Sequence, residues 1–287
     1  MKFSYPLLKK LLPGIPSKNR VCDSLTLHAF EVEAVRGNTI DIALPANRYS
    51  DAASHIGIAR EIAAIHGKAL QSPKWIPRSS RGMTRSVLQV EIQNPALCPR
   101  YAARYFEISK VGVSPAWLKN ILKDCGIQSI NAIVDLMNYA MLETGQPLHA
   151  FDARAIFGKD QKKIIVREAR QGETIDALDD KSYTLPRGAL VIADQKQPLA
   201  VAGIRGRKTS GVNQKPRHIV VEAANFDPAS IFRTSRNLKL ATDASIRFSH
   251  GLSPALVDWG MNRVTELLEK NGARLLDAID VYPNPVH

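Results

Sequence analysis

Cysteine is scarce in this sequence, and no long apolar run interrupts it. The three cysteines, Cys22, Cys98 and Cys125, stand far apart, with no Cys-x-x-Cys spacing and no even set to pair. That argues against a disulfide framework or a cysteine-held zinc site, and for a reducing compartment. No apolar stretch reaches the roughly 18 residues a membrane span needs. The opening Met1-Lys2-Phe3-Ser4-Tyr5-Pro6 lacks the apolar centre of a signal peptide. The expected location is therefore the cytoplasm, with no membrane partner. The Gly-x-Gly-x-x-Gly, P-loop, Gly-x-Ser-x-Gly and His-Glu-x-x-His patterns are also missing, so no short motif names an enzyme. Acidic residues are in deficit: 27 against 39 Lys and Arg, a net charge of +12 over 287 residues. Such an excess suits a polyanion partner.

What is present is a mixture of strand and helix periods. Leu7, Leu8, Leu11 and Leu12 have helical spacing, broken at Pro13-Gly14. Val32–Val35 and Thr39–Leu44 read as a hairpin around Arg36-Gly37-Asn38, and Ile58, Ile62 and Ile65 mark a helix that Gly67 can end. These make a small α+β domain over residues 1–70. Residues 71–86 are polar, basic and aperiodic, as in a linker. A larger mixed α/β unit follows over residues 87–287. Its first helix is expected to take Ser114 as N-cap and Pro115 as first residue, with Leu118, Ile121, Leu122 and Cys125 inward and Gly126 as stop. A second helix is expected over residues 132–142. Strands are expected at Val87–Gln93, Tyr101–Ile108, Lys163–Glu168, Ser182–Leu185, Ala189–Ala193 and His218–Ala223. Asp227-Pro228 and Ser253-Pro254 each signal another helix start. Without regular βαβ alternation, the fold class is α+β.

The informative feature is a set of short stretches in fixed order: Asn131-Ala132-Ile133-Val134-Asp135-Leu136-Met137-Asn138-Tyr139, Gln146-Pro147-Leu148-His149-Ala150-Phe151-Asp152, Leu199-Ala200-Val201-Ala202-Gly203-Ile204, Val221-Glu222-Ala223-Ala224-Asn225-Phe226-Asp227-Pro228 and Thr242-Asp243-Ala244-Ser245-Ile246-Arg247-Phe248. This series resembles the editing module of the bacterial phenylalanyl-tRNA synthetase β subunit. Lys2-Phe3-Ser4, Phe30-Glu31-Val32-Glu33 and Asn47-Arg48 leading into Gly57-Ile58-Ala59-Arg60-Glu61 are similar to that subunit's N-terminal domain. A hairpin turn stands where the family inserts an OB-fold tRNA-binding domain. The sequence also ends at Tyr282-Pro283-Asn284-Pro285-Val286-His287, about where the family continues, and is read as a truncated piece.

The resemblance implies hydrolysis of tyrosine wrongly attached to tRNA(Phe), in a complex whose α subunit attaches phenylalanine with ATP and magnesium. It implies no cofactor or metal in this chain. His149 and Glu222 match the candidate catalytic residues: Glu222 as acceptor for the tyrosine hydroxyl, at the C-terminal end of a buried strand, and His149 in a loop beside the ester. Asn138, Ala202, Gly203, Thr242 and Ala244 match residues around the bound tyrosyl group. Arg205, Arg207 and Lys208 are expected at the tRNA end. The sequence departs from the family at Met137, commonly threonine, and in Arg205-Gly206-Arg207-Lys208, where a second glycine pair is usual. Against hydrolysis stand two alternatives: a structural or tRNA-binding part with editing lost, and a free-standing trans-editing factor.

Overall fold

The computed structural model describes residues 1–70, 86–159, 161–177, 180–212 and 216–283. The linker expected over residues 71–86 lies, except for Ser86, outside them.

The N-terminal part runs β1 (Lys2–Ser4), α1 (Tyr5–Leu11), α2 (Lys18–His28), β2 (Val32–Arg36), β3 (Thr39–Ile42), α3 (Tyr49–Ala52) and α4 (His55–Ile65). β2 and β3 form the expected hairpin, and β1 adds to its edge in the order β1-β3-β2. The hairpin turns on Gly37, whose φ of +58° is costly for any residue with a Cβ. The α2 helix was not legible, since its apolar residues Val21, Cys22 and Leu25 make only a thin stripe.

The larger part continues with β4 (Leu88–Ile92), β5 (Arg100–Glu107), α5 (Ala116–Asp124), α6 (Ala132–Thr144), β6 (Leu148–Asp152) and β7 (Lys162–Glu168). Next come β8 (Thr174–Asp176), β9 (Ser182–Thr184), β10 (Leu190–Ala193), β11 (Pro198–Val201), β12 (Arg205–Gly206) and β13 (His218–Asn225). Last are α7 (Pro228–Leu238), α8 (Asp243–Ser249), α9 (Leu256–Lys270) and β14 (Arg274–Val281). The architecture is α+β, as expected: an antiparallel sheet β14-β5-β13-β6, a second sheet β12-β11-β10-β7-β4 and a hairpin β8-β9.

Two helix starts differ from expectation. Ser114 does not cap α5: its hydroxyl donates to buried Asp135, and the helix begins after Pro115. The helix signalled by Ser253-Pro254 begins only at Leu256. Asp227 does cap α7, accepting from the Ser230 N–H at 2.7 Å.

Strand β13 divides the interior. Successive side chains of a strand point to opposite faces, and both faces of β13 are covered. Ile219, Val221 and Ala223 enter one buried cluster, with α1 (Leu7, Leu8), α6 (Leu136, Met137) and α9 (Val257, Val264). Val220 and Ala224 enter a second, with Tyr101 and Ala103 of β5, Phe151 of β6, Ile192 of β10, Leu199 of β11 and Phe248 of α8. A fully buried aliphatic side chain stabilises by about 1.5–3 kcal/mol, so a strand covered on both faces is fixed in register.

Candidate active site

Glu222 interrupts the apolar run of β13. It is 5 % exposed and shares its face of the strand with Val220 and Ala224. The strand continues to Asn225, so Glu222 lies in its interior rather than at its end. Pairing places Glu222 opposite His149 of β6 on one side and Ala103 of β5 on the other. His149 is therefore on a strand and not in the loop expected from the sequence. Gly145, at a φ of +88°, stops α6, and the chain returns at once along β13 as β6. The segment Leu148-His149-Ala150-Phe151 lacks β-branched residues, which is why it does not read as a strand.

The chemistry of the pair follows from its burial. The His149 ring meets Phe151 edge-on, with centroids 4.5 Å apart. His149 as a residue is half-buried, but its Nε2 is sealed from solvent and has no hydrogen-bond partner. Burial holds its pKa down at about 4, so the imidazole is neutral near pH 7. Glu222 Oε2 is likewise buried and unpartnered. Burial pushes the Glu222 carboxyl up to about 8, with the Tyr101 phenol opposing in the other direction. Near neutral pH the group is thus mostly a carboxylic acid, able to donate and to accept.

Both residues line a cavity of about 90 Å³. Gly203, Arg205, Ala244 and Phe248 share its wall, together with apolar residues of β10 and β11. Gly203 has a φ of +66°, and a Cβ there would stand 2.8 Å from the Phe248 ring. Only glycine lets this turn reach so close to α8. Ala202 is not on the wall; it is fully buried, and its N–H donates to the Leu190 carbonyl at 2.9 Å. Nor is Thr242 on the wall. It caps α8 in a reciprocal capping box with Ser245, and its hydroxyl donates to the Ile204 carbonyl at 3.2 Å. It thereby ties the start of α8, and with it Ala244, to the turn carrying Gly203.

The remaining expected residues fall elsewhere. Met137 is packed in the first cluster, on the other side of the sheet, and Asn138 is half-buried on the same helix, away from the cavity wall. Both belong to the stretch 131–139 on α6, and neither lines the cavity. Of the three basic residues only Arg205 reaches the cavity. Its Nε is buried without a partner, as is Nη1 of Arg207. Lys208 is engaged with Asp180 at 2.5 Å. Sequence reasoning missed Tyr101, whose hydroxyl is fully buried beside Glu222 and unpartnered. In an alternating strand it passes for one more apolar side chain. Among the described residues, no group of three or more His, Cys, Asp or Glu side chains is placed to hold a metal ion. No described helix is long and apolar enough to cross a membrane.

Comparison with known proteins adds the following. The B3/4 domain family matches residues 97–273. The phenylalanine–tRNA ligase β subunit of Bdellovibrio bacteriovorus is 42 % identical over 250 residues, covering 86 % of this chain and 30 % of that protein. The β subunit from Rhodopirellula baltica is 37 % identical over 289 residues, covering 99 % of this chain and 42 % of that protein. The chain thus spans less than half the length of these curated relatives. A crystal structure of an N-terminal fragment of the phenylalanyl-tRNA synthetase β subunit from Pyrococcus horikoshii is similar at 14 % identity. It covers 98 % of this chain and 78 % of that chain, with a TM-score of 0.46.

Proposed function

As the chain belongs to the B3/4 domain family, in its phenylalanine–tRNA ligase β-subunit form, we propose that its cavity hydrolyses tyrosine from mischarged tRNA(Phe). The observation that carries this reading is the cross-strand pair. A buried carboxyl and a buried imidazole, each with an unpartnered polar atom, face one cavity.

Tyrosine and phenylalanine differ by one hydroxyl. A phenol that reaches Glu222 gives the carboxyl a partner; a phenyl ring leaves it unpaired. Sites built around such a bond reject the analogue lacking it by about 10⁴-fold, because a buried polar group left unsatisfied is costly. In the reaction, the water oxygen bonds to the ester carbonyl carbon. The bond from that carbon to the ribose oxygen breaks, and the water's proton passes to the ribose oxygen. Glu222 orients the aromatic ring, and neutral His149 orients the water through its free Nε2. Arg205, at the cavity wall of a chain with net charge +12, suits a phosphate of the tRNA 3′ end.

In this reading the chain works beside the ligase α subunit. ATP and magnesium serve the aminoacylation step of that complex. The test is deacylation of Tyr-tRNA(Phe) by the chain within the αβ ligase, comparing wild type with Glu222→Ala and His149→Ala. Both variants are expected to lose activity, Glu222→Ala by roughly 10³-fold. Equal rates for wild type and Glu222→Ala would sink the assignment.

A further inference from the structure

Glu222 does not face the cavity alone. Tyr101 projects from β5 on the same side of the sheet: it pairs with Ala224, two residues beyond Glu222, and that spacing returns to the same face. Both side chains are buried, Tyr101 completely. The Tyr101 hydroxyl and Glu222 Oε2 are each without a hydrogen-bond partner, which is rare for polar atoms so deep in a protein. Isolated polar atoms of this kind are costly, and two side by side, one a donor and one an acceptor, form a pair waiting to be closed. The phenol is held protonated, since burial and the neighbouring carboxyl both push its pKa well above 10. It is thus a permanent donor.

We propose that Tyr101 is a positioning residue for Glu222: its phenol donates to one carboxyl oxygen and leaves the other free to take the hydroxyl of a para-hydroxylated aromatic ligand. This deepens the editing reading and rests on it. Glu222 is bracketed by two phenols when tyrosine is bound, one built in and one brought by the substrate. The built-in donor favours the ionised carboxyl, the stronger acceptor. The other titratable or charged groups around Glu222 are Cys98 ahead of β5, His149 on β6 and Arg205 on β12. Cys98 gives its thiol to the Arg100 carbonyl, and His149 is neutral.

Tyr101→Phe keeps the ring and deletes the donor. The Glu222 carboxyl, followed by carbon-13 NMR in the ligand-free chain, is expected to titrate about one pH unit higher in this variant, the size of one lost hydrogen bond to a charged group. In the αβ ligase the pH profile of Tyr-tRNA(Phe) deacylation shifts by the same amount, and kcat/KM at pH 7 falls about tenfold. On a Glu222→Gln background, Tyr101→Phe has no further effect on deacylation. A merely structural Tyr101 would lower stability and leave both the titration and the pH profile in place, and that result overturns the proposal. The two readings separate cleanly. A wild-type chain inert toward Tyr-tRNA(Phe) removes the editing reading, while an unmoved Glu222 titration removes the Tyr101 coupling whatever the activity.

Discussion

The two faces of β13 do different work with the same backbone. On one face, Ile219, Val221 and Ala223 join the N-terminal helices and α6 and α9 in a dry apolar cluster. On the other, Val220 and Ala224 bracket Glu222, which meets His149 and Tyr101 across the neighbouring strands. The first face holds the strand; the second spends part of that stability on unpaired polar atoms. The site is tolerable because its supporting strand is buried so thoroughly from behind.

The sharpest test of this division sets stability against pH. The Glu222 carboxyl is raised in the folded chain to about 8, from an ordinary value near 4.5. Its contribution is fully present below the ordinary value and is lost as the pH rises through about 8. His55 and His149 are lowered to about 4, so theirs is present above about 6.5 and lost as the pH falls toward 4. Between pH 6.5 and 8 only the carboxyl acts among these three. Wild type is expected to lose stability over that window, toward a total on the order of 4 kcal/mol for the full titration, and Glu222→Gln to remove that slope. Urea melts across the window check it, and parallel slopes for the two proteins would break the comparison. On the opposite face, Ile219→Ala is expected to cost about 2–4 kcal/mol at every pH, read as a lowered urea midpoint. Gly203→Ala strains a left-handed backbone and drives a methyl into Phe248; a loss of about 1–3 kcal/mol should accompany reduced deacylation, measured by melt and assay together. Thr242→Ala removes the cap of α8 and its bond to Ile204, for about 1 kcal/mol. Here kcat/KM should fall without a change in pH profile, since the cap only positions Ala244.

The parts of the fold with a strong period were legible. The Gly37 hairpin, α1, α4, α6 and the strands β4, β5, β7, β10 and β13 followed from apolar spacing and from glycine and proline punctuation; the eight-residue β14 was not among the expected strands. Glu222 was reached through the family resemblance, and the run Ile219-Val220-Val221 before it marked the buried strand that carries it. What escaped notice did so for physical causes. β6 is short and lacks β-branched residues. Tyr101 hides its hydroxyl in an apolar alternation. Thr242 looks like a wall residue until its capping box with Ser245 shows it holding a helix end. Met137 and Asn138 follow a different helix face from the one the cavity needs. The departure at Met137 therefore falls in the first cluster and leaves the cavity wall untouched.

The pairing that makes the site also sets when it can exist. His149 and Glu222 lie some seventy residues apart in the chain, and Tyr101 is separated from Glu222 by well over a hundred, yet all three meet on adjacent strands. Contacts of such long range are slow to form, because loop closure must come before any reward. No local segment of the nascent chain can carry a partial version of this constellation. The cavity should appear late and all at once, so in refolding, activity would return with the last cooperative phase rather than with early helix formation.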